Sequence, residues 1–497
     1  MKHVLIRIAL TAMVGTVIVG ISAQDRQDIE ELAQRRYQMG LGFLESKNYP
    51  QALVELEAIA GGTTTVAGAA KLQLATYYFD VEKDFAKAEQ RVASILSSEP
   101  SGRSAPMAWI LSGRIKLARS RDAKSIDAAV ADFQRVRKLF ENNPLGAVAK
   151  NYEAEARRDA QQYEMSVELF REVSSAYPKS VPWAAKALLG EAHCLVAQGG
   201  STERAMELLQ RVRTRFPNSP EAKTAVEWNT ILYRLYLRAK PPYVYAGRTL
   251  AGPSGKLKDV EFMGVGPDGV LHAAGQNGGQ SFDVVSGKVR APFVVTGLRS
   301  IAFDQGGRLV TAQRGSITVA GGRPILLAVT KGVESQPLND VLAAVITSRG
   351  EILVADGSLR SIFRFASQGK VIDTFAAIEA RRLAIDGEDH VACLNAANGE
   401  VSILLPSGAF AARVSSGQAL RKVVDIAFDP LGHLYVLDRD AGSVFVYAPS
   451  NRSTPLASFG PPQKTPGAFS RAAALALDGA GRIFIYDERN EAVLIFQ

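Results

Sequence analysis

Two internal repeats of different kinds follow one another along this chain, and they constrain its fold more than any other feature. Over residues 24 to about 240, apolar residues recur at the spacing of a helix face. Five times in this region, at intervals of 36 to 41 residues, a bulky apolar residue comes four positions after a small one. The small residues are Ala52, Ala88, Ala129, Ser166 and Ala205, and the bulky ones are Leu56, Val92, Phe133, Phe170 and Leu209. Because a small side chain lets two helices approach closely, the pattern predicts stacked helix pairs.

Prolines close four of these units. They stand at Pro100, Pro144, Pro178 and Pro217, and proline cannot continue a helix. The small residue, the bulky residue and the closing proline resemble the tetratricopeptide repeat (TPR), and residues 177–180 and 216–220 resemble its exported bacterial variants. The resemblance implies an all-α solenoid over residues 24–240, capped by a helix over 220–239, with a concave side that binds peptides or helices. A helical bundle without repeats is the alternative.

The second repeat begins after Lys240-Pro241-Pro242, where short apolar runs alternate with turns. Six copies of a strand–turn–strand motif follow, with turn residues 38 to 49 positions apart. The turn residues are Gly269, Gly307, Gly350, Asp389, Gly432 and Gly481. Glycine suits a tight hairpin because such a hairpin needs a positive φ. Six units of three or four strands each predict an all-β six-bladed propeller over residues 243–497, and hence a two-domain protein.

The last copy of this motif, residues 459–493, resembles the NHL repeat, and the likeness is clear in four of the six units. It departs from the family at the basic residue before the third strand, which is replaced by Ser361, Glu400, Ser443 and Ala492. The chain stops after the third strand of the last unit. We therefore expect a strand at about 243–247 to pair with that strand and close the ring, which removes an open sheet edge.

The N-terminus predicts export. Residues 1–23 contain Lys2 and Arg7, an uncharged apolar run over 8–21 and the small residue Ala23, which together are typical of a signal peptide. The run is short for a membrane span. We therefore expect a periplasmic or secreted protein with no membrane span after cleavage, and an uncleaved anchor is the alternative. Cys194 and Cys393 lie in apolar runs of different predicted domains, so we expect both to be buried and unpaired.

The sequence contains few residues of the types that usually form a catalytic or metal site. The net charge of +8 is small against 58 basic and 50 acidic residues and does not indicate nucleic-acid binding, which export also argues against. One position on the innermost strand of each unit should line the central channel: Phe262, Ser300, Ala343, Arg382, Asp425 and Ala474. This set lacks the converging ligands of a metal site, and His272, His390 and His433 are interpreted as surface or strand-filling residues. We predict no catalytic residue, metal or cofactor.

Arginines form the one constellation that suggests binding. Arg314, Arg360, Arg439 and Arg489 follow the second strand of four units, so the propeller places them on one face, around the mouth formed by Arg382 and Asp425. Such a ring can bind a carboxylate, a phosphate or an acidic protein surface. Local ion pairs with the nearby Asp356, Asp438 and Asp487 are the alternative. Those three aspartates, with Asn395, occupy a position where they can cap backbone N–H groups of the next turn.

Both predicted folds commonly hold partners, so the leading hypothesis is a non-enzymatic scaffold or adaptor of the bacterial cell envelope that binds proteins or peptides. A propeller enzyme of the lyase or lactonase type, with a metal on the channel axis, is the second hypothesis. The third is that the propeller face binds glycan or peptidoglycan. The first hypothesis rests on analogy between folds, whereas a function depends on the side chains of a particular site.

Overall fold

The computed structural model describes residues 23–497 apart from 142, 180, 182, 239–240, 291, 293, 305, 321, 332–333, 416–419 and 463. Residues 1–22 of the expected signal peptide and the expected boundary residue Lys240 therefore lie outside the described residues. The described residues form two compact units, the first ending at Arg119 and the second spanning Ser120–Gln497. No helix in the described part of the chain is long and apolar enough to cross a membrane.

Helices make up the first unit and the start of the second. The first unit contains α1 (Ala23–Glu45), α2 (Tyr49–Ala60), α3 (Ala67–Tyr77), α4 (Phe85–Ser98) and α5 (Ala105–Arg119). The second unit begins with α6 (Ala123–Leu139), α7 (Pro144–Asp159), α8 (Tyr163–Ala176), α9 (Trp183–Ala197), α10 (Thr202–Arg215) and α11 (Pro220–Leu232). A π-helical turn, Tyr233–Leu237, extends α11 and ends the helical region.

The small and bulky residues of the repeat pack as the sequence predicts. All ten are buried, and they lie on α2, α4, α6, α8 and α10, the second helix of each pair. At Gly190 of α9, an added Cβ would lie 2.4 Å from the Phe170 ring of α8, so only glycine allows this approach of the two helices. Pro144 differs from the expectation that it closes a unit: it is the first residue of α7, a position that needs no N–H donor.

The rest of the second unit is a six-bladed propeller. Blade 1 has β2 (Phe262–Val265), β3 (Val270–Gly275) and β4 (Gly278–Asp283); blade 2 has β5 (Ser300–Phe303), β6 (Leu309–Gln313), β7 (Ser316–Val319) and β8 (Ile325–Leu326). A hairpin of β9 (Ala328–Lys331) and β10 (Glu334–Pro337) follows. Blade 3 has β11 (Val341–Ile346), β12 (Ile352–Asp356), β13 (Ser361–Phe365) and β14 (Val371–Ala376); blade 4 has β15 (Ala380–Ile385), β16 (Val391–Asn395), β17 (Val401–Leu404) and β18 (Phe410–Val414).

Blade 5 has β19 (Val423–Phe428), β20 (Leu434–Asp438), β21 (Ser443–Tyr447) and β22 (Ala457–Phe459), and blade 6 has β23 (Ala472–Leu477), β24 (Ile483–Asp487) and β25 (Ala492–Phe496). The first strand of each blade contacts the first strand of the next around a closed ring. The fourth strand of blade 6 is β1 (Tyr245–Leu250), which pairs antiparallel with β25. Two further backbone hydrogen bonds join Val244 and Gln497.

The hairpin turns and loops give the propeller two distinct faces. All six turn residues named above have positive φ, including Asp389 at φ 65°. Because neighbouring strands are antiparallel, these turns lie at one end of the blades, which we call the turn face. The loops between the second and third strands lie at the opposite end, which we call the mouth face. The helices of the second unit share an apolar core with blades 5 and 6, in which Leu188 and Ile231 pack in the same cluster as Tyr435 and Ile483.

Candidate functional site

The central channel of the propeller opens between the first strands of the blades. A cavity of about 240 Å³ is lined by residues from all six first strands, including Phe262, Arg382 and Asp425. Arg382 of blade 4 reaches across the ring to blade 1, which lies diametrically opposite. Its Nη2 donates to the carbonyl of Glu261 at 3.0 Å, and its guanidinium lies over the Phe262 ring at 4.8 Å. This side chain therefore spans the channel at its mouth.

Asp425 is the single acidic side chain among the six channel positions, and its oxygens already have partners. Oδ1 accepts from its neighbour Ile426 N at 3.0 Å, and Oδ2 accepts from Leu475 N at 2.8 Å. Arg382 Nε lies 3.6 Å from Oδ1. Burial raises the pKa of Asp425, and the Arg382 guanidinium opposes this shift. A lone carboxylate beside a guanidinium does not suit a divalent cation, which needs several oxygen or nitrogen ligands. Among the described residues, no group of three or more His, Cys, Asp or Glu side chains could hold a metal ion.

The four predicted loop arginines all lie on the mouth face, with different surroundings. Arg314, Arg360 and Arg489 are exposed. Arg360 pairs with Glu379 at 3.1 Å, with 79% of its side chain exposed. Arg439 is half-buried and lies 4.0 Å from Glu488. The four arginines thus share a face around the mouth, and two of them have glutamate partners.

The alternative that these arginines pair with Asp356, Asp438 and Asp487 is wrong, because the three aspartates are buried beneath the loops. Their oxygens accept hydrogen bonds from backbone N–H groups. Asp438 accepts from Arg421, Lys422 and Ala441, and Asp487 accepts from Ser470, Arg471 and Asn490. Asp356 accepts from Asp340 and Leu359. These aspartates therefore cap backbone N–H groups, as the sequence predicts. Their carboxylates do not pair with the arginine side chains, which can bind other partners.

The helices of the second unit lie against the turn face. Arg121 Nη2 donates to Ser348 Oγ at 2.9 Å, and Arg234 Nη1 donates to the carbonyls of Ala480 and Gly481, each at 3.0 Å. Tyr236 Oη and His433 Nε2 are 3.0 Å apart. The propeller residues in these contacts belong to the first hairpins of blades 3, 5 and 6. Within the described part of this unit, the contacts between helices and propeller thus leave the mouth face open.

The first hairpin of blade 4 contributes a cluster of charged groups to this interface. Glu388 accepts from Tyr163 Oη at 3.3 Å, and its other oxygen lies 3.4 Å from Arg158 Nε and 3.5 Å from His193 Nδ1. Burial raises the pKa of Glu388, with Arg158 opposing the shift. Burial and the nearby Arg158 charge lower the pKa of His193 to about 3, so this imidazole is neutral at pH 7.

Two histidines do not match the expectation of surface or strand-filling residues. His433 is fully buried and contacts Asp429 at 2.9 Å as well as Tyr236. His390 contacts Asp386 at 3.1 Å and Gln161 of the helical region at 3.2 Å. Burial acts to lower the pKa of His390, and the hydrogen bond and charge of Asp386 outweigh it, so the pKa is raised. Isolated in the sequence, both histidines gain partners through the packing of helices on the turn face.

Sequence reasoning missed the role of Glu388 and its neighbours. Residues 386–390 read Asp-Gly-Glu-Asp-His, with three acidic residues in one hairpin, whereas the corresponding residues 478–482 of blade 6 hold a single acid, Asp478. This concentration of charge was the available signal. The partners, which come from α7 to α9, could not be identified from local pattern. Both cysteines are buried and unpaired.

Residues 186–219, which cover most of α9 and all of α10, match the tetratricopeptide repeat family. No curated protein matches the chain. Among solved structures, the chain is similar to a streptogramin B lyase, at 11% identity over 51% of this chain and 97% of that one, with a TM-score of 0.38. It is also similar to a gluconolactonase from Xanthomonas campestris, at 19% identity over 52% and 98% of the two chains, with a TM-score of 0.37. A virginiamycin B lyase from Staphylococcus aureus matches at 12% identity over 49% and 80%, with a TM-score of 0.35.

Proposed function

We propose that this protein is an exported, non-enzymatic scaffold of the cell envelope whose propeller binds an acidic surface of a protein partner through its mouth face. The observation that carries the proposal is the burial of Asp356, Asp438 and Asp487. With these carboxylates used as backbone caps, Arg314, Arg360 and Arg489 remain exposed on one face. Guanidinium groups recognise carboxylates with two parallel hydrogen bonds, so an acidic protein surface is the complementary partner.

The position of the helices supports this choice of face. α6 to α11 are built into the second unit on the turn side of the propeller, through contacts such as Arg234 with the carbonyls of Ala480 and Gly481. A partner that approached the turn face at blades 4 to 6 would have to displace these helices. The mouth face is reached without such a rearrangement. The helical repeats belong to a class that binds peptides and helices, which agrees with a scaffold role.

The arrangement at the channel mouth supports a binding role over a catalytic one. Arg382 is held by Glu261, Phe262 and Asp425, and Asp425 is held by two backbone N–H groups. A general acid, base or nucleophile needs to reach a substrate with a free lone pair or proton. A stoichiometric divalent ion in the purified protein would contradict the proposal and favour the metal-dependent propeller enzyme.

The test compares two triple variants with the same loss of charge. The first, Arg314→Ala/Arg360→Ala/Arg489→Ala, changes the mouth face. The second, Arg308→Ala/Arg323→Ala/Lys370→Ala, removes three exposed cations from hairpins and loops at the opposite ends of the strands. Tagged full-length protein is used to capture partners from envelope extracts at low salt. We expect the first variant to bind a captured partner about tenfold more weakly, since each exposed ion pair contributes up to about 1 kcal/mol.

The second variant should retain the partners of the parent protein, because its lost charges lie on the turn face. Identical capture by all three proteins would contradict binding through the mouth face. Raised salt should release the partner, because exposed ion pairs are screened at high ionic strength.

A further inference from the structure

The central channel of the propeller has polar residues at one end and apolar residues along the rest of its length. Among the described residues that line its cavity of about 240 Å³, four are polar: Arg299, Ser300, Arg382 and Asp425. Each lies near the start of a first strand, which is the end at the mouth face. The other lining residues are apolar. A mostly apolar cavity with a few polar groups that fix orientation is typical of a site for a small molecule.

The apolar part of the channel extends from these residues toward the turn face. Phe303, Ile385 and Phe428 stand three positions after Ser300, Arg382 and Asp425 on the same strands. Since a strand rises about 3.3 Å per residue, they lie about 10 Å deeper. All three are half-buried, so they keep apolar surface that a ligand can cover. The cavity is larger than an engineered cavity of about 150 Å³ that binds benzene, so it has room for a hydrocarbon chain.

The charged residues of the lining leave a positive excess at the mouth end. They are two arginines, Arg299 and Arg382, and one aspartate, Asp425. Both oxygens of Asp425 already accept from backbone N–H groups, and Arg382 Nε, at 3.6 Å from Oδ1, is beyond hydrogen-bonding distance. Burial and the nearby Arg382 charge lower the pKa of Arg381, which agrees with an excess of positive charge at this end. One further negative charge would balance the lining.

Both arginines have hydrogen-bond donors to offer an anion. Arg382 makes two of the five hydrogen bonds that a guanidinium can donate, to the carbonyls of Arg381 and Glu261, and 23% of its side chain is exposed. In the described part of the chain, the half-buried Arg299 side chain has no hydrogen-bond or ion-pair partner. We propose that the channel binds a monocarboxylate with an apolar chain, its carboxylate on Arg382 and its chain directed along the first strands toward the turn face.

Isothermal titration calorimetry of the full-length protein with butanoate, hexanoate and octanoate tests both parts of the site. We expect one molecule to bind per chain, and the affinity to increase about fourfold with each added CH₂ group, because the chain covers apolar surface of the channel. Octanamide has the same chain length without the charge. It should bind at least about tenfold more weakly than octanoate, because the charge-assisted hydrogen bonds to the guanidinium are lost.

Two variants of blade 4 locate the carboxylate. Arg382→Gln should bind octanoate about tenfold more weakly and octanamide as the parent does. Arg413→Gln removes the same charge from the outermost strand of the blade, where it pairs with Glu400, and should bind both ligands like the parent protein. Unchanged melting temperatures show that each variant is folded, and the ligand series in the parent protein needs neither variant.

Three results would each overturn the proposal. One is the absence of saturable one-to-one binding of octanoate up to about 10 mM. Another is equal affinity for octanoate and either butanoate or octanamide, and the last is parent-like binding of octanoate by folded Arg382→Gln. The arginines proposed to bind a protein partner, Arg314, Arg360 and Arg489, are not among the residues that line this cavity, so either proposal can fail alone.

Discussion

Glu388 is the residue on which the polar contacts between the helices and blade 4 converge. Its side chain faces a tyrosine from α8, an arginine from α7 and a histidine from α9. The next residue, Asp389, takes the positive φ of the hairpin and accepts hydrogen bonds from the backbone N and the Oγ of Ser348 in blade 3. It also lies 3.4 Å from Arg121 Nη1. One hairpin thus fixes blade 4 both to its neighbouring blade and to the helices.

His193 makes the stability of this interface depend on pH. Burial and Arg158 lower its folded-state pKa to about 3, whereas an unfolded histidine titrates near 6.5. As the pH falls below 6.5, the unfolded chain gains a proton at this residue and the native protein does not, so the free energy of unfolding decreases. Linkage gives a loss of about 2 kcal/mol at this residue between pH 6.5 and pH 5.

The measurement is denaturant unfolding of the parent protein and of His193→Asn at both pH values. We expect the parent to lose about 2 kcal/mol more than the variant over this range. The other titratable groups facing His193, namely Glu388, Arg158, Asp386, Asp429 and His433, are present in both proteins, so the difference between the two isolates the histidine. Equal losses in the two proteins would contradict this, because they would mean that His193 takes up its proton over the same pH range in the folded and the unfolded state.

Single residues show where prediction from the sequence succeeds and where it stops. Asp438 and Asp487 were identifiable as caps because their function depends on loops next to them in the chain. The ion pairing proposed for the arginines failed because it assumed that nearness in sequence places an aspartate at the surface. The partners of Glu388 from the helices lie more than 190 positions away in the sequence. Glu388 and these partners come together only because the helical repeats pack on the propeller. No local sequence pattern predicts that packing.

Strand β1 is the element that joins the two ends of the propeller. Its pairing with β25 begins with Tyr245 opposite Phe496, whose rings are 6.0 Å apart, and Tyr243 Oη lies 2.8 Å from Tyr435 Oη inside the core. The sequence indicated a strand here because the last unit lacked a fourth one. Its bounds, Tyr245–Leu250 instead of 243–247, depend on the register with β25, which the isolated segment does not determine.

Deleting residues 243–250 should therefore abolish cooperative unfolding of the second unit. The deletion removes two tyrosine contacts from the core and exposes the backbone edge and apolar side chains of β25. Circular dichroism and calorimetry would follow the thermal transition. Val244→Ala serves as the control, since that side chain is 39% exposed and its backbone bonds to Gln497 are kept. A soluble deletion variant with a sharp transition would show that the ring closes without β1.

For the whole molecule, the two repeats were evident from the sequence, and the compact units were not. The repeats change near residue 240, where the helices end at Leu237 and the strands begin at Tyr245. The contacts instead group α6 to α11 with the propeller, in the unit Ser120–Gln497. A periodic pattern of apolar residues in the sequence predicts how each repeat packs on the next one. It does not report that Ile231 and Leu188 face blades 5 and 6, which requires knowing the rotation of each helix. The domain division near residue 240 stays a prediction.

Fragments of the chain test which boundary matters for folding. If α6 to α11 are part of the propeller's core, a fragment of residues 120–497 should unfold in one cooperative transition at the temperature seen for the propeller in the full chain. A fragment of residues 241–497 leaves Tyr435, His433 and Glu388 without their helical partners. Losing several kcal/mol of contacts should lower its melting temperature by about 10 °C, given that 1 kcal/mol shifts a unit of this size by roughly 2–4 °C. Equal melting temperatures for the two fragments would show that α6 to α11 do not stabilise the propeller. The propeller would then fold as an independent domain that begins near residue 240.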